Sequence, residues 1–106
     1  MHFESINPYN GEVIGSYEAQ DSATIKQVLN QAQTAFERWR NSDMKSRAKL
    51  MHQAAEVLRK HEADYAQMIS SEMGKPIVEA RGEVTKCAWV CDFYADNAAD
   101  FLAQRK

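Results

Sequence analysis

Apolar and polar positions alternate in two different periods along the chain, and the change of period divides it. Residues 3–18 read as two short strands around a turn: Phe3–Ile6, then Asn7-Pro8-Tyr9-Asn10-Gly11-Glu12, then Val13–Tyr17. Asn10-Gly11 marks the turn, because both residue types tolerate positive φ. Pro8 presets its own φ and keeps the turn out of the ladder. A lone hairpin is marginal in water, so this one is expected to pack on something else.

Beyond residue 20 the period becomes helical. The first helix is predicted from Ser22 to Arg40, with Asp21 as N-cap. Ile25, Val28, Leu29, Ala32, Phe36 and Trp39 recur at steps of three and four and form one apolar stripe. Asn41-Ser42-Asp43 interrupts it, and Asp43 is placed to cap the next helix. That second helix is predicted over Met44–Met73, kinked near His61, with Leu50, Met51, Ala54, Leu58, Tyr65, Met68 and Ile69 facing inward. Gly74 stands where a left-handed C-terminal residue belongs, and Pro76 opens the next helix. The third helix is predicted over Pro76–Gln104. Its seam of Ile77, Ala80, Val84, Cys87, Cys91, Tyr94, Ala98 and Phe101 is close to a heptad pattern. Val90, Phe93 and Leu102 widen that seam, as in a helix that touches more than one neighbour. The fold class read from this pattern is mainly α: an N-terminal β-hairpin followed by three amphipathic helices. Residues 1–106 form one segment, with the hairpin at 3–18 and a helical region over 21–106.

Composition narrows the function classes. With 106 residues, 44% apolar and 26% charged, the chain has the make-up of an ordinary globular protein. It is several times too short for a nucleotide-binding sheet plus a catalytic domain. The net charge of −2 gives no general attraction for nucleic acid or an anionic membrane. No stretch approaches the roughly 20 apolar residues that cross a bilayer. Met-His-Phe-Glu-Ser is not a basic region leading into an apolar run, so no signal peptide is expected. A cytoplasmic protein with reduced thiols is the expectation, since Cys87 and Cys91 lie four apart on a helix, where a disulfide has poor geometry.

Candidate chemistry is sparse. His2, His52 and His61 show no spacing that would complete a metal site with the two cysteines. Lys86 adjoins Cys87 in sequence but diverges from it by about 100° on a helix, so no activating partner is evident. Both cysteines are expected to be buried packing residues. Gly11, Gly15, Gly74 and Gly82 form no phosphate loop or dinucleotide fingerprint. Glu79 and Glu83 are one turn apart but read as first-turn carboxylates that offset the helix dipole. His52 and His61 read as surface or boundary residues, and Trp39 and Trp89 as packing anchors.

Four motifs in order nevertheless resemble a known family. Ile6-Asn7-Pro8-Tyr9-Asn10-Gly11-Glu12-Val13-Ile14 is similar to the opening hairpin of aldehyde dehydrogenases. Ala35-Phe36-Glu37-Arg38-Trp39 resembles the end of their first helix, and Arg47 with Leu50 and Leu58 fits their second. Glu72-Met73-Gly74-Lys75-Pro76-Ile77-Val78-Glu79-Ala80-Arg81-Gly82-Glu83-Val84 resembles a further family segment, and Cys91-Asp92-Phe93-Tyr94-Ala95 continues in register. The likeness extends from about Ser5 to Phe101 and is strongest to bacterial NAD(P)-dependent succinate-semialdehyde dehydrogenases.

The resemblance implies the N-terminal part of the α/β aldehyde dehydrogenase fold. In that family a cysteine thiolate attacks the aldehyde, hydride passes to NAD(P)⁺, and a glutamate activates the water that releases the acid. The catalytic cysteine, the glutamate, the oxyanion-holding asparagine and the nucleotide-binding sheet all lie C-terminal to this region. Cys87 and Cys91 do not match the catalytic cysteine. The resemblance therefore implies no catalytic, cofactor-binding or metal-ligating residue in this chain. It implies inactivity alone, NAD or NADP in the parent enzyme, and the remainder of that enzyme as partner. Lys86, Trp89, Val90 and Phe93 are the positions expected to border the substrate tunnel. The alternative is a free-standing helical module that associates with itself or another protein, since the third helix leaves a wide apolar face. Either reading leads to a homo-oligomer, with no nucleic-acid or membrane partner.

Overall fold

A computed structural model describes residues 1–104; the predicted helical region at 105–106 lies outside the described residues. The chain forms β1 (His2–Ile6), β2 (Val13–Glu18), α1 (Ser22–Trp39), α2 (Met44–Lys60), α3 (Glu62–Met73) and α4 (Ile77–Leu102). β1 and β2 pair antiparallel as a two-stranded sheet. The register runs from His2 opposite Glu18 to Ser5 opposite Gly15, then shifts so that Ile6 faces Val13. Ile14 is the extra residue at this bulge. In the turn, Asn7 Oδ1 accepts from the Tyr9 amide at 2.9 Å and Asn10 Oδ1 from the Glu12 amide at 3.0 Å. Of the turn dipeptide, only Gly11 takes positive φ, at 75°.

Both predicted helix starts are realised. Asp21 Oδ1 accepts from the Thr24 amide, and Asp43 Oδ1 from the Ser46 amide, each at 2.7 Å. Each satisfies an amide that has no partner inside its helix. These bonds hold both carboxyls below the ordinary aspartate range.

Where three helices were expected there are four. The predicted Met44–Met73 helix is broken at His61, whose φ of −108° and ψ of 20° leave the helical region. Arg59 and Lys60 close α2, and Glu62 and Asp64 open α3. Basic residues suit a helix C-terminus and acidic residues an N-terminus, so charge favours an end and a new start over a kink. Gly74 ends α3 with φ 72° and ψ 15°. Pro76 sits just outside α4 as its N-cap, one position earlier than expected.

α4 lies along α2 and α3, and this contact is the core. The buried side chains are Ala55, Ala66, Ala80, Val84 and Ala88, with Leu58, Tyr65 and Ile69 packed against Ala66, Ala80 and Val84. Small residues let the helix backbones approach closely, but they bury little apolar area. Leu50, Met51, Ala54 and Met68, expected to face inward, are exposed. So are Trp39 and Trp89, at 47% and 61%, which are not buried anchors here. Cys87 is exposed and Cys91 half-buried, correcting the expectation that both pack inside; of the predicted seam Ala80 and Val84 are buried, and Ala88 takes the next core position.

α1 buries none of its residues. Its C-terminus is tied to α2 by Arg47, whose Nε donates to Ser42 Oγ and whose Nη2 donates to the Trp39 carbonyl, both at 2.9 Å. The guanidinium also lies 5.3 Å from the Trp39 ring centroid. The hairpin docks on the end of α3, where Ser5 Oγ donates to Glu72 Oε1 at 2.9 Å.

The radius of gyration is 18.4 Å, against about 13 Å for a compact chain of this size. The accessible surface is 8844 Å², against roughly 6,000 Å² for a folded monomer of this mass. The chain thus carries far more open surface than a self-contained domain.

Candidate functional site

α4 has two opposed faces. One carries Ala80, Val84 and Ala88 against α2 and α3. Lys86, Trp89, Val90 and Phe93 follow one another at helical steps of three, four and seven from Lys86, which places them together on the other side. Lys86, Trp89 and Phe93 are exposed and Val90 is half-buried. Trp89 and Phe93 stand with ring centroids 6.5 Å apart, and Phe93 meets Tyr94 edge-on at 5.3 Å and Phe101 at 6.1 Å. These four expected tunnel residues therefore form a continuous apolar, aromatic strip with one cation at its N-terminal end. Such a strip can line an apolar passage; it offers no nucleophile, base or phosphate cradle.

A second apolar surface lies at the far end of the α2–α4 contact. Trp39, Leu50, Met51, Tyr94, Ala98 and Leu102 line a groove of about 560 Å³. It is built from the first half of α2 and the last half of α4, away from the small-residue core at Ala55, Ala80, Val84 and Ala88.

The junction of α3 and α4 supports the hairpin. Gly74 takes the left-handed φ that favours glycine, and a Cβ built on it would lie 3.1 Å from Pro8 Cγ, a tight contact with the hairpin. Lys75 is ion-paired with Glu83.

The main polar constellation was not legible as a site in the sequence. His52 of α2 stands between two carboxylates of α4, with Nδ1 2.7 Å from Asp92 Oδ1 and Nε2 3.0 Å from Asp96 Oδ1. Arg59, also on α2, holds the other Asp92 oxygen at 2.5 Å. The Asp92 contact, with Asp96 behind it, raises the His52 pKa against partial burial. Arg59 first and His52 second hold Asp92 below the usual carboxylate range. The only sequence signal was the spacing of Asp92 and Asp96 by one helical turn; their partner lies 40 residues away. Among the described residues no group of three or more His, Cys, Asp or Glu is arranged to hold a metal ion, and no helix is long and apolar enough to cross a membrane.

The aldehyde dehydrogenase family model matches residues 1–106. A succinate semialdehyde dehydrogenase [NAD(P)+] of Escherichia coli is 38% identical over 101 residues, covering 95% of this chain and 22% of that protein. A succinate-semialdehyde dehydrogenase [NADP(+)] of Deinococcus radiodurans is 33% identical over 100 residues, covering 94% and 21%. The succinic semialdehyde dehydrogenase of Streptococcus pyogenes, solved in complex with NADP+, superimposes with a TM-score of 0.88 at 35% identity, over 95% of this chain and 22% of that one. The chain thus spans about a fifth of the length of the relatives it matches. With the whole chain matched and its fold superimposed on a solved member, the protein belongs to the aldehyde dehydrogenase family.

Proposed function

We propose that this chain serves as the N-terminal part of an NAD(P)-dependent dehydrogenase acting on succinate semialdehyde, a partial domain that is inactive alone. The observation that carries the reading is the outer face of α4. Its aromatic strip is apolar, exposed and opposite the core, as a helix must be when its second face is covered by protein absent from this chain. Its role is to supply that helix, held in place by α2, α3 and the docked hairpin. Lys86, Trp89, Val90 and Phe93 border the aldehyde tunnel. No residue here performs a chemical step, and NAD or NADP is held by the remainder of the enzyme. The proposed setting is a cytoplasmic homo-oligomer.

Two preparations test this. The isolated chain is expected to form no NADH or NADPH from succinate semialdehyde; turnover by the pure chain would overturn the reading. Replacing the matching N-terminal fifth of the Streptococcus pyogenes enzyme with this chain is expected to give an active chimera. In it, Trp89→Ala and Phe93→Ala raise KM for the aldehyde several-fold and leave KM for the dinucleotide unchanged. Equal effects on both constants would remove these residues from the tunnel border.

The surplus surface also favours a second reading, self-association of a free-standing helical module. Phe36, Leu29, Trp89 and Phe101 are all more than half exposed, and such surface drives association. Sedimentation of a clean monomer at high concentration would exclude it.

A further inference from the structure

His52 joins α2 to α4 through both of its ring nitrogens. A neutral imidazole has one N–H and one lone pair, so between two carboxylates it must aim a lone pair at an anion. Only the imidazolium donates on both sides, to Asp92 at 2.7 Å and to Asp96 at 3.0 Å. The two carboxylates are not equivalent. Asp92 is 28% exposed and is also held by Arg59. Asp96 is 66% exposed and has no other ion pair among the described residues. Asp92 and Asp96 are the titratable groups that face His52 from α4, and Arg59, on α2 itself, acts through Asp92. Among the described residues no charged group of the hairpin, α1 or α3 comes within ion-pair distance of His52.

We propose that His52 is a proton-operated latch between α2 and α4: charged, it ties both Asp92 and Asp96 to α2, and neutral, it keeps Asp92 and releases Asp96. The proton leaves to solvent, which reaches the half-exposed ring. Asp96 lies between Tyr94 and Ala98, both on the wall of the groove that also holds Trp39, Leu50 and Met51. Release therefore frees the α4 wall of that groove, while the core at Ala55, Ala80 and Ala88 stays closed. The contacts that make the latch also raise the His52 pKa. A raised folded-state value gives stability that is complete below the unfolded value, about 6.5, and is lost as pH rises through the folded value.

The test is an NMR titration of the imidazole in the 106-residue chain, with His52→Gln to assign the signal. The same titration in concentrated urea supplies the unfolded reference. The His52 midpoint is expected above the urea value, each pH unit of rise being a tenfold change in the folding equilibrium. Asp96→Asn is expected to return it part of the way. A midpoint equal to the urea value, from a folded or an unfolded chain, overturns the latch, and so does an unchanged midpoint in Asp96→Asn. Opening is read separately in a Trp89→Phe chain, where Trp39 in the groove is the remaining tryptophan. Its emission is expected to change with the His52 midpoint and to become flat in this range when His52→Gln is added. An emission that ignores pH in the parent, or follows it unchanged without His52, overturns release of the groove.

Discussion

Two glycines of this chain should respond to the same substitution with opposite signs. Gly74 has φ 72°, and a Cβ there would meet Pro8 Cγ at 3.1 Å. A non-glycine residue in the left-handed region costs about 1–2 kcal/mol. The Pro8 ring is exposed and in a turn, so it can yield the few tenths of an ångström required. Stiffening the unfolded chain returns about 0.5 kcal/mol. Gly74→Ala should therefore destabilise by about 1 kcal/mol net. Gly82 is inside α4 with nothing within 4 Å of the built Cβ, and its φ is negative. Gly82→Ala should stabilise by about 0.5–1 kcal/mol, the usual gain of alanine over glycine in a helix. The assay is urea unfolding followed by circular dichroism. With a slope of about 1–2 kcal/mol/M, the midpoint falls by about 0.5–1 M in the first variant and rises by a similar amount in the second. Gly74→Asn should lose less than Gly74→Ala, because asparagine tolerates the left-handed conformation. A Gly74→Ala chain as stable as the parent would refute the turn argument. A destabilised Gly82→Ala chain would show that the outer face of α4 is already covered, by a second copy for instance.

Further outcomes follow from other contacts. Asp21→Ala and Asp43→Ala should each lower the thermal midpoint at pH 7. Both carboxyls are held below their unfolded values by the capping bonds, so the stability they add is present above the unfolded pKa. It is lost as pH falls through the folded value, and melts in acid should show variants and parent converging. Arg47→Ala should cost about 1–2 kcal/mol by freeing the Trp39 carbonyl and removing the stacked guanidinium. Arg47→Lys should recover only part of this in the same melts, since an ammonium cannot reproduce the fork. In native chain Cys87, being exposed, should react with a thiol reagent before half-buried Cys91, and peptide mapping should find equal labelling in urea.

Element positions were readable because their signals are local. Asp21, Asp43, Gly11 and Gly74 act within a few residues of themselves, and each stands in the structure where its chemistry requires. The break at His61 was equally local, in the step from Arg59-Lys60 to Glu62 and Asp64, but the apolar period running through it masked the charge signal. Burial was less readable. The apolar seam of the last helix included Ala80 and Val84, which the structure buries, but also Cys87, Tyr94 and Phe101, which it leaves exposed, and it passed over Ala88, which is fully buried. Periodicity reports which side is apolar; it does not say which part of a wide apolar surface meets a neighbour.

By itself, the order of residues determined the hairpin, the capped starts of α1 and α2, the stop at Gly74, the family resemblance and the poverty of chemical groups in this stretch. Each rests on short-range backbone preference or on residue type alone. Only the tertiary structure decided that α2 and α4 meet through alanines, that the aromatic strip of α4 faces away from them, and that His52 is caught between Asp92 and Asp96. Those facts depend on how two helices 40 residues apart in sequence are set side by side, which no local pattern encodes.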